Sequence, residues 1–296
     1  MKVNFCGIEF KNPITTASGT FGSGMEYDDF VDLNKLGSIT VKGVSTEPWT
    51  GNKPSRIAET YGGMLNSVGL QNKGVDYFIN NDLPFLKKYD TKVIVNLCGH
   101  TVEEYVSVTE KIRDADVDIL ELNISCPNVS AGGITFGINE KAVFEVVSKV
   151  KKVAKQPLVV KLSPNVSDIT AIAKVAEEAG ADGLSLINTL IGMKIDIKKR
   201  KTVLNNRIGG LSGPCIKPVA LNMVNKVYHS VNIPIIGMGG VTTYEDAVEF
   251  IMAGSTLVAV GTANFINPYA TVEIINGLEK YLKEENTSLD EIRGII

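Results

Sequence analysis

Short apolar runs recur along the whole chain, and their spacing gives the first indication of the fold. Most are rich in β-branched residues and several end in small or polar residues, which is typical of strands buried on both faces. Eight such runs lie at residues 14–19, 38–43, 93–97, 119–125, 158–162, 184–188, 234–237 and 257–261. Two shorter runs precede them, at 2–5 and 9–10, and their junction at Gly7 predicts an N-terminal β-hairpin.

Segments with helical spacing separate most of these strands. The clearest follows Asn139, where apolar residues recur at Ala142, Val143, Val146, Val147, Val150 and Val153. Helix-start signals lie at Thr101 with Glu104, at Ser167-Asp168, at Thr242 with Glu245 and at Asn267-Pro268, and glycine stops lie at Gly180 and Gly254. Eight buried strands alternating with helices predict an α/β fold, a closed (β/α)8 TIM barrel forming a single domain over residues 1–296. An open doubly wound sheet fits the same alternation and is the alternative.

Two connections are too long for simple crossovers, at residues 45–92 and 190–213. Long loops in compact domains usually serve as lids, binding loops or partner surfaces, so we expect both to be functional insertions. The second loop is basic, with Lys194, Lys198, Lys199, Arg200, Lys201 and Arg207. A solvated basic excursion explains these charges equally well, so the sequence leaves the role of this loop open.

Composition narrows the classes of function. The 296 residues carry a formal charge of -3 and are 44% hydrophobic, which gives no reason to expect nucleic acid or an anionic membrane as a partner. No apolar run approaches the roughly 20 residues of a membrane span, and the N-terminus does not resemble a signal peptide, so we expect a cytoplasmic protein. The four cysteines form no C-x-x-C pair, which excludes an obvious zinc or iron–sulfur site, and we predict no metal.

The ends of the strands carry an unusual set of polar residues. Three amides and two lysines are prominent in this set, which reads Ser18-Gly19, Lys42-Gly43, Asn96, Asn123, Lys161, Asn188-Thr189, Gly239-Gly240 and Gly261-Thr262. Lysines that point inward need a negative partner, and this set contains no Asp or Glu. Any protein partner must therefore come from elsewhere, and we infer that the site takes an anionic ligand.

Glycines at the ends of the last two strands indicate a phosphate site. They let backbone N–H groups approach a ligand closely, at the place where barrels commonly hold phosphate, although ordinary turns also use glycine. The run beginning at Gly237 lacks the G-x-G-x-x-G spacing, so it is a poor nicotinamide-nucleotide site. A phosphorylated cofactor beside lysines, amides and a thiol suggests flavin chemistry.

The thiol in question is Cys126, which Asn123 and Asn128 bracket. Amides offer both donors and an acceptor to a flat ring, and a thiolate can remove a carbon-bound proton. A buried structural cysteine explains this stretch equally well when it is taken alone. The rival thiol, Cys98, lacks the flanking amides and the following proline, so we interpret it as a packing residue.

With these residues in place, the chain resembles the class 1 dihydroorotate dehydrogenases over essentially its whole length. The motifs that carry the resemblance are Ala17-Ser18-Gly19, Lys42-Gly43, Asn66 to Leu70, Asn123 to Asn128, Lys161 to Pro164 and the two glycine runs. The resemblance implies a barrel that binds FMN and oxidises dihydroorotate to orotate in pyrimidine (UMP) biosynthesis. It further implies that a proton leaves C5 of the substrate while a hydride leaves C6.

Residue by residue, the resemblance implies that Cys126 is the catalytic base. The implied FMN contacts are Ser18, Lys42, Gly43, Asn96, Asn123, Lys161, Ile187, Gly213, Gly239, Gly240, Gly261 and Thr262. The implied substrate contacts are Lys42, Asn66, Ser67, Val68, Gly69, Leu70, Asn123, Asn128, Asn188 and Thr189.

The stretches 16–27 and 128–137 are similar to subclass 1B. That similarity implies NAD as the final acceptor, reached through a partner subunit with FAD and a 2Fe-2S cluster, in a heterotetramer containing a dimer of this chain. Class 2 members use serine as base and usually carry an N-terminal extension, and Cys126 argues against that class. Two alternatives remain: a fumarate-reducing subclass 1A homodimer, and a flavin-free phosphate-binding barrel that acts as a lyase or isomerase.

Overall fold

The computed structural model describes residues 1–125 and 137–296, and its strands follow the predicted apolar runs. Strand bounds are shorter than the runs, because the small and polar residues at their ends lie in the following loops. The strands of the described residues are β1 Val3–Phe5, β2 Ile8–Phe10, β3 Ile14–Thr16, β4 Ser38–Thr40, β5 Ile57–Thr60, β6 Gly63–Asn66, β7 Lys92–Leu97, β8 Ile119–Asn123, β9 Leu158–Lys161, β10 Gly183–Leu186, β11 Leu190–Met193, β12 Ile195–Asp196, β13 Lys201–Thr202, β14 Ile208–Ser212, β15 Ile235–Met238 and β16 Leu257–Val260.

Eight of these strands form one parallel sheet, in the order β3-β16-β15-β10-β9-β8-β7-β4. The two end strands come together to close it: Gly37 N donates to Ile14 O (3.2 Å), and Thr40 N donates to Thr16 Oγ1 (3.0 Å). Every strand of this sheet is buried on almost all positions, as a barrel with helices around it requires. The predicted (β/α)8 barrel is confirmed, and β1 pairs with β2 as the predicted antiparallel hairpin in front of it.

The helices lie between the strands on the outside of the barrel. Their bounds are Val75–Tyr77, Leu83–Leu86, Val102–Ile112, Glu140–Val153, Ile169–Glu178, Lys217–Tyr228, Tyr244–Met252, Ala263–Ile266, Ala270–Glu284 and Leu289–Ile292, with 3-10 turns at Leu33–Lys35 and Pro214–Ile216 and a π-helical turn at Phe78–Asp82. The stripe after Asn139 packs inward, since Val143, Val146, Val147 and Val150 are fully buried. No helix in the described part of the chain is both long enough and apolar enough to cross a membrane.

Three predicted helix starts differ in detail from the structure, and at one of them the long helix begins at Ala270 rather than at Pro268. The capping box lies one residue later than predicted, at Thr243 and Asp246, because Asp246 reaches the backbone N–H groups of both Thr242 and Thr243. At the earlier helix, Thr101 caps as predicted, but the carboxylate of Glu104 accepts from the N–H of His100. The predicted start at Asp168 is confirmed, and Asn139 caps the helix that follows it.

The two long connections meet each other, which the sequence did not indicate. Strands β5 and β6 come from the first and β11 and β14 from the second, and they form one antiparallel sheet in the order β11-β14-β6-β5. Asn66 pairs with Gly210 in this sheet, across 144 residues of sequence. The sheet lies against the mouth of the barrel and carries several of the predicted substrate residues to it.

Candidate active site

An open cleft lies at the carboxyl ends of the barrel strands, with about 1200 Å³ of empty volume when the space at its mouth is included. The structure brings to it all the predicted cofactor contacts: Ser18, Lys42, Gly43, Asn96, Asn123, Lys161, Ile187, Gly213, Gly239, Gly240, Gly261 and Thr262. Of the predicted substrate contacts, it also brings Asn66, Val68, Gly69, Leu70, Asn188 and Thr189. Residues from eight strand ends and two insertions, distant in sequence, therefore share one cavity.

Among the described residues, one predicted substrate contact, Ser67, does not line the cleft. Ser67 is buried beside it, with its Oγ 3.3 Å from Asn52 Nδ2. Cys126 and Asn128 fall in residues 126–136, outside the described residues. The described chain reaches Ser125, which is fully buried at the end of β8.

Glu121 is the residue that the sequence reasoning missed at this site. It lies on β8 two residues before Asn123, so both side chains point to the same face of the strand. Its Oε2 lies 3.9 Å from Lys161 Nζ, and both side chains are almost completely buried. The expectation that a lysine partner must come from outside the strand ends is correct, and a carboxylate deeper in the barrel provides it. A charged residue in an otherwise apolar strand was the available signal.

Lys161 itself connects the floor of the cleft to its rim. Its Nζ donates to Ser18 Oγ at 3.2 Å, which lies at the end of the first barrel strand. The ammonium has three donors, so it can bond Ser18 and still present an N–H to a ligand. Lys161 therefore places a positive charge at the floor of the cleft, next to the amides of the neighbouring strand.

Three amides that line the cleft, together with a buried serine and Glu121, form a continuous chain of hydrogen bonds. Asn96 Nδ2 donates to Glu121 Oε2 (2.6 Å), and Asn123 Nδ2 donates to Asn96 Oδ1 (3.3 Å). Ser125 Oγ donates to Asn123 Oδ1 (3.0 Å), and Asn188 Nδ2 donates to Ser125 Oγ (2.8 Å). We call Glu121, Asn96, Asn123, Ser125 and Asn188 the amide relay. Each member of the relay donates a hydrogen bond to the next, and the last acceptor is the carboxylate of Glu121.

Lys42 and Gly43 follow β4, the strand next to that of Asn96, and they line the cleft beside the relay. The backbone N–H of Lys42 donates to Gly22 O (2.9 Å), and its Nζ lies 3.5 Å from the position that a Cβ on Gly19 would take. A Cβ on Gly43 would lie 2.8 Å from Asn96 Oδ1. The absence of a side chain at Gly43 therefore lets the relay and the Lys42 loop come close together.

Backbone N–H groups at the far end of the cleft fit a phosphate. Gly239 and Gly240 follow β15 with φ of 126° and 83°, a region that favours glycine. Within the described part of the chain, no acceptor bonds the backbone N–H groups of Gly240, Gly261 or Thr262. Donors of this kind, collected beside short helices, suit a phosphate group.

Asp246 fixes the loop that carries these glycines to the next helix. Burial alone would raise the pKa of this carboxyl, but hydrogen bonds from Lys217, Thr242 and Thr243 outweigh it and hold the pKa below its usual value. Lys217 Nζ lies 2.6 Å from Asp246 Oδ1 and 3.0 Å from Glu249 Oε2. Burial lowers the pKa of Lys217, but its bonds to these two carboxylates raise it more. The loop is thus fixed in place by the ionised side chains of Asp246 and Lys217.

Two of the three described cysteines, Cys6 and Cys98, do not line the cleft. Burial raises the pKa of the Cys6 thiol to about 12, and its Sγ lies 3.2 Å from Asp182 O, far from the cleft. Cys98 is buried with its Sγ 3.2 Å from Val44 O, which agrees with the packing role expected for it. Among the described residues, no group of three or more His, Cys, Asp or Glu side chains could hold a metal ion.

The donors of the cleft fit FMN in their kinds and positions. A cation and amides that can meet an electron-rich ring lie at one side, and unbonded backbone N–H groups that can meet a phosphate lie at the other. Apolar residues of the covering sheet and of the loop after it, among them Ile57, Met64 and Leu70, line the same cleft. The residues that would hold the cofactor are therefore Ser18, Lys161, Asn96 and Asn123 at the ring, and Gly240, Gly261 and Thr262 at the phosphate.

Comparison with known proteins gives one consistent result. The family model of dihydroorotate dehydrogenase matches residues 1–282. The chain is 64% identical over 295 residues to the dihydroorotate dehydrogenase B (NAD(+)) catalytic subunit of Alkaliphilus metalliredigens, covering 99% of this chain and 98% of the relative. It is 62% identical to the proteins of the same name from Alkaliphilus oremlandii, over 100% and 97% of the two chains, and from Lachnoclostridium phytofermentans, over 99% and 98%. The chain therefore belongs to the dihydroorotate dehydrogenase family.

Proposed function

We propose that this chain is the catalytic subunit of an NAD-dependent dihydroorotate dehydrogenase, which oxidises dihydroorotate to orotate in pyrimidine biosynthesis. The observation that carries the proposal is the cleft itself. Two lysines, three strand-end amides and the glycine loops converge there from eight strands, in a chain 64% identical to a protein of that name. A lyase or isomerase barrel that binds only a phosphorylated metabolite has no need of the relay and Lys161 at the other end of the cleft.

The residues of the cleft divide between two ligands in this proposal. FMN, when bound, supplies a two-electron acceptor for the hydride that leaves C6 of dihydroorotate. Lys161 and Ser18 hold its ring through polar contacts, and Gly240, Gly261 and Thr262 hold its phosphate through backbone N–H groups. Lys42, Asn66, Asn123 and Asn188 hold the carboxylate and the ring oxygens of the substrate, because an ammonium and amide N–H groups are the donors that such acceptors require.

Cys126 is the base in this proposal, and its thiolate takes the proton from C5 of the substrate. It follows Ser125 directly in the sequence, and Ser125 is bonded to two of the amides that line the cleft. Cys126 is the residue that the family resemblance assigns, and a thiolate is the form of cysteine that can accept a proton. Asn128 joins the substrate contacts on the same resemblance.

The electrons then leave this chain for a partner subunit. The names of the relatives contain both NAD(+) and "catalytic subunit", which implies a second subunit in those enzymes. We propose that the partner here carries FAD and a 2Fe-2S cluster and that the two subunits form a heterotetramer around a dimer of this chain. The described residues offer no metal-ligand cluster of their own, in keeping with a cluster on the partner.

The test is to purify the chain alone and in its native complex, and to record cofactor spectra and turnover. The chain alone should hold FMN, with a flavin absorbance band, and should be reduced by dihydroorotate. The complex should in addition contain FAD and iron–sulfur and should reduce NAD. A purified chain without flavin would contradict the proposal as a whole, whereas turnover of the chain alone with fumarate would contradict only the NAD-dependent assignment.

A further inference from the structure

We propose that Glu121 and Ser125 are positioning residues that orient the three amides of the relay, so that the cleft presents N–H donors to the substrate. This inference rests on the proposed function, because it concerns how the cleft recognises orotate. Glu121 and Ser125 are both buried beneath the cleft, and neither lines it. Both therefore act through the amides that do line it.

The direction of the relay begins at Glu121. An ionised carboxylate only accepts hydrogen bonds, so Asn96 must turn its Nδ2 towards Oε2, 2.6 Å away. Its other oxygen, Oε1, accepts from Ser185 Oγ at 2.7 Å, and Lys161 lies beside the pair. The carboxylate is thus held from three sides, and it cannot act as a donor to Asn96.

Each further link follows from the one before it. Because Asn96 Oδ1 is turned away from Glu121, it accepts from Asn123 Nδ2. Asn123 Oδ1 then accepts from both the N–H and the hydroxyl of Ser125, at 3.3 and 3.0 Å. The hydroxyl hydrogen is now used, so Ser125 Oγ can only accept, and it accepts from Asn188 Nδ2 at 2.8 Å. The N–H of Thr189 donates to Asn188 Oδ1 at 2.8 Å, which fixes the last amide in the same sense.

The consequence for recognition is a surface of donors. Each of the three amides uses its oxygen and one N–H in these hydrogen bonds, and each retains a second N–H that bonds no acceptor among the described residues. All three amides line the cleft. Orotate carries two ring N–H groups, but its carboxylate and two ring carbonyls are acceptors, and the N–H groups of Asn123 and Asn188, the relay amides proposed to contact the substrate, are complementary to these acceptors. An amide turned over would present its oxygen to these acceptors and repel them.

The experiment uses the FMN-loaded chain and measures the dissociation constant of orotate from the change in flavin absorbance. Ser125→Ala removes the link between Asn123 and Asn188, and Glu121→Gln removes the acceptor-only group at the base. We expect either change to weaken orotate binding by about tenfold or more, because a buried donor or acceptor loses its partner. Ser185→Ala is the matched control: it removes a hydroxyl from the other oxygen of Glu121 and should change orotate affinity less than about threefold.

The double variant and two further readouts separate positioning from a structural role. Residues of one network are not additive, so Ser125→Ala combined with Glu121→Gln should weaken orotate binding little more than the stronger single change. FMN occupancy and the thermal midpoint of Ser125→Ala should match those of Ser185→Ala. If Glu121→Gln does not fold, the orotate affinity of Ser125→Ala alone tests the inference.

Two results would overturn the inference. One is wild-type orotate affinity in Ser125→Ala, and the other is an equal loss of affinity in Ser185→Ala. Failure of the wild-type chain to bind FMN or orotate would instead overturn the proposed function, so the two failures are distinguishable.

Discussion

Lys161 and Glu121 form a buried ion pair beneath the cleft, with Nζ 3.9 Å from Oε2 and side-chain exposures of 5% and 1%. They lie on neighbouring parallel strands, and Asn123, two residues after Glu121, is the strand partner of Lys161. Buried charges of this kind are costly unless they are paired and hydrogen-bonded, and Ser18, Asn96 and the pair itself meet that condition here. Lys161, which lines the cleft, thus depends for its charge compensation on Glu121, which does not line the cleft.

Removal of the lysine should therefore destabilise the protein in the absence of any ligand. Lys161→Met leaves Glu121 buried without its cationic partner, and we expect the free energy of unfolding to fall by about 3–5 kcal/mol. Urea unfolding of FMN-free protein measures it. The control is Lys280→Ala, which removes an exposed i,i+4 pair with Glu284 and should cost about 0.3–0.5 kcal/mol.

Adding Glu121→Gln to Lys161→Met should recover part of the lost stability, because the uncompensated charge is then removed. Equal effects of Lys161→Met and Lys280→Ala would show that the buried pair contributes no more than a surface pair.

Most of the barrel was predictable because its signals are local. Each barrel strand is an apolar run and four of the outer helices have a side-chain cap, so the order of the elements could be read without knowing their partners. The residues that line the cleft could be predicted from the strand ends, because parallel strands bring their carboxyl ends to the same side of the barrel.

What could not be predicted is non-local. The pairing of Asn66 with Gly210 joins two loops whose sequences carry no sign of each other.

Glu121 was overlooked for a different reason: it lies within an apolar run, and only the alternation from Asn123 puts it on the inner face. The capping box at Thr243 was misplaced by one residue because Thr242 offers the same side chain one position earlier, and Asp246 bonds both.

Asp246 should make the stability of the protein depend on pH in the acid range. Its pKa is lowered in the folded state, so its stabilising contribution is fully present above the unfolded value, about 3.9, and is lost as the pH falls through the lower folded value. Asp246→Asn should reduce stability at pH 7 and flatten the dependence below pH 4. Urea unfolding at a series of pH values measures both.

Lys217→Met should weaken the same acid dependence without abolishing it, because Thr242 and Thr243 still bond the carboxylate. Acid profiles of wild type and Asp246→Asn that run parallel would contradict this role for Asp246.

Gly240→Ala should abolish tight FMN binding. Gly240 has a φ of 83°, and an added Cβ would lie 2.9 Å from both Gly213 O and Lys217 Cβ, so the loop must shift where the phosphate is expected. Gly7→Ala is a matched control, with a φ of 81° and no atom within 4 Å of the added Cβ. Gly7→Ala should lose only about 1–2 kcal/mol of stability from backbone strain, and it should bind FMN normally.

Equilibrium dialysis against FMN, or retention of the flavin absorbance through gel filtration, compares these two glycine variants. FMN binding in Gly240→Ala as tight as in Gly7→Ala would show that the glycine loop is not the phosphate site.

Cys126→Ala should separate cofactor binding from proton abstraction. The residues proposed to hold FMN all lie elsewhere in the chain, so the variant should remain yellow, but its flavin should be reduced by dihydroorotate orders of magnitude more slowly. Anaerobic stopped-flow absorbance at the flavin band measures the rate. Cys98→Ala, which removes the buried thiol beside Val44, should react at close to the wild-type rate.

Cys126→Ser tests the protonation state that the base requires. A free thiol has a pKa near 8.5 and a hydroxyl is a far weaker acid, so the serine variant should react slowly at neutral pH and its rate should rise towards higher pH. The rate of flavin reduction, measured across the pH range for wild type and both Cys126 variants, gives the profile. Near-normal reduction by Cys126→Ala at neutral pH would remove Cys126 from the role of base, and the proton would then have to go to another group of the cleft or to water.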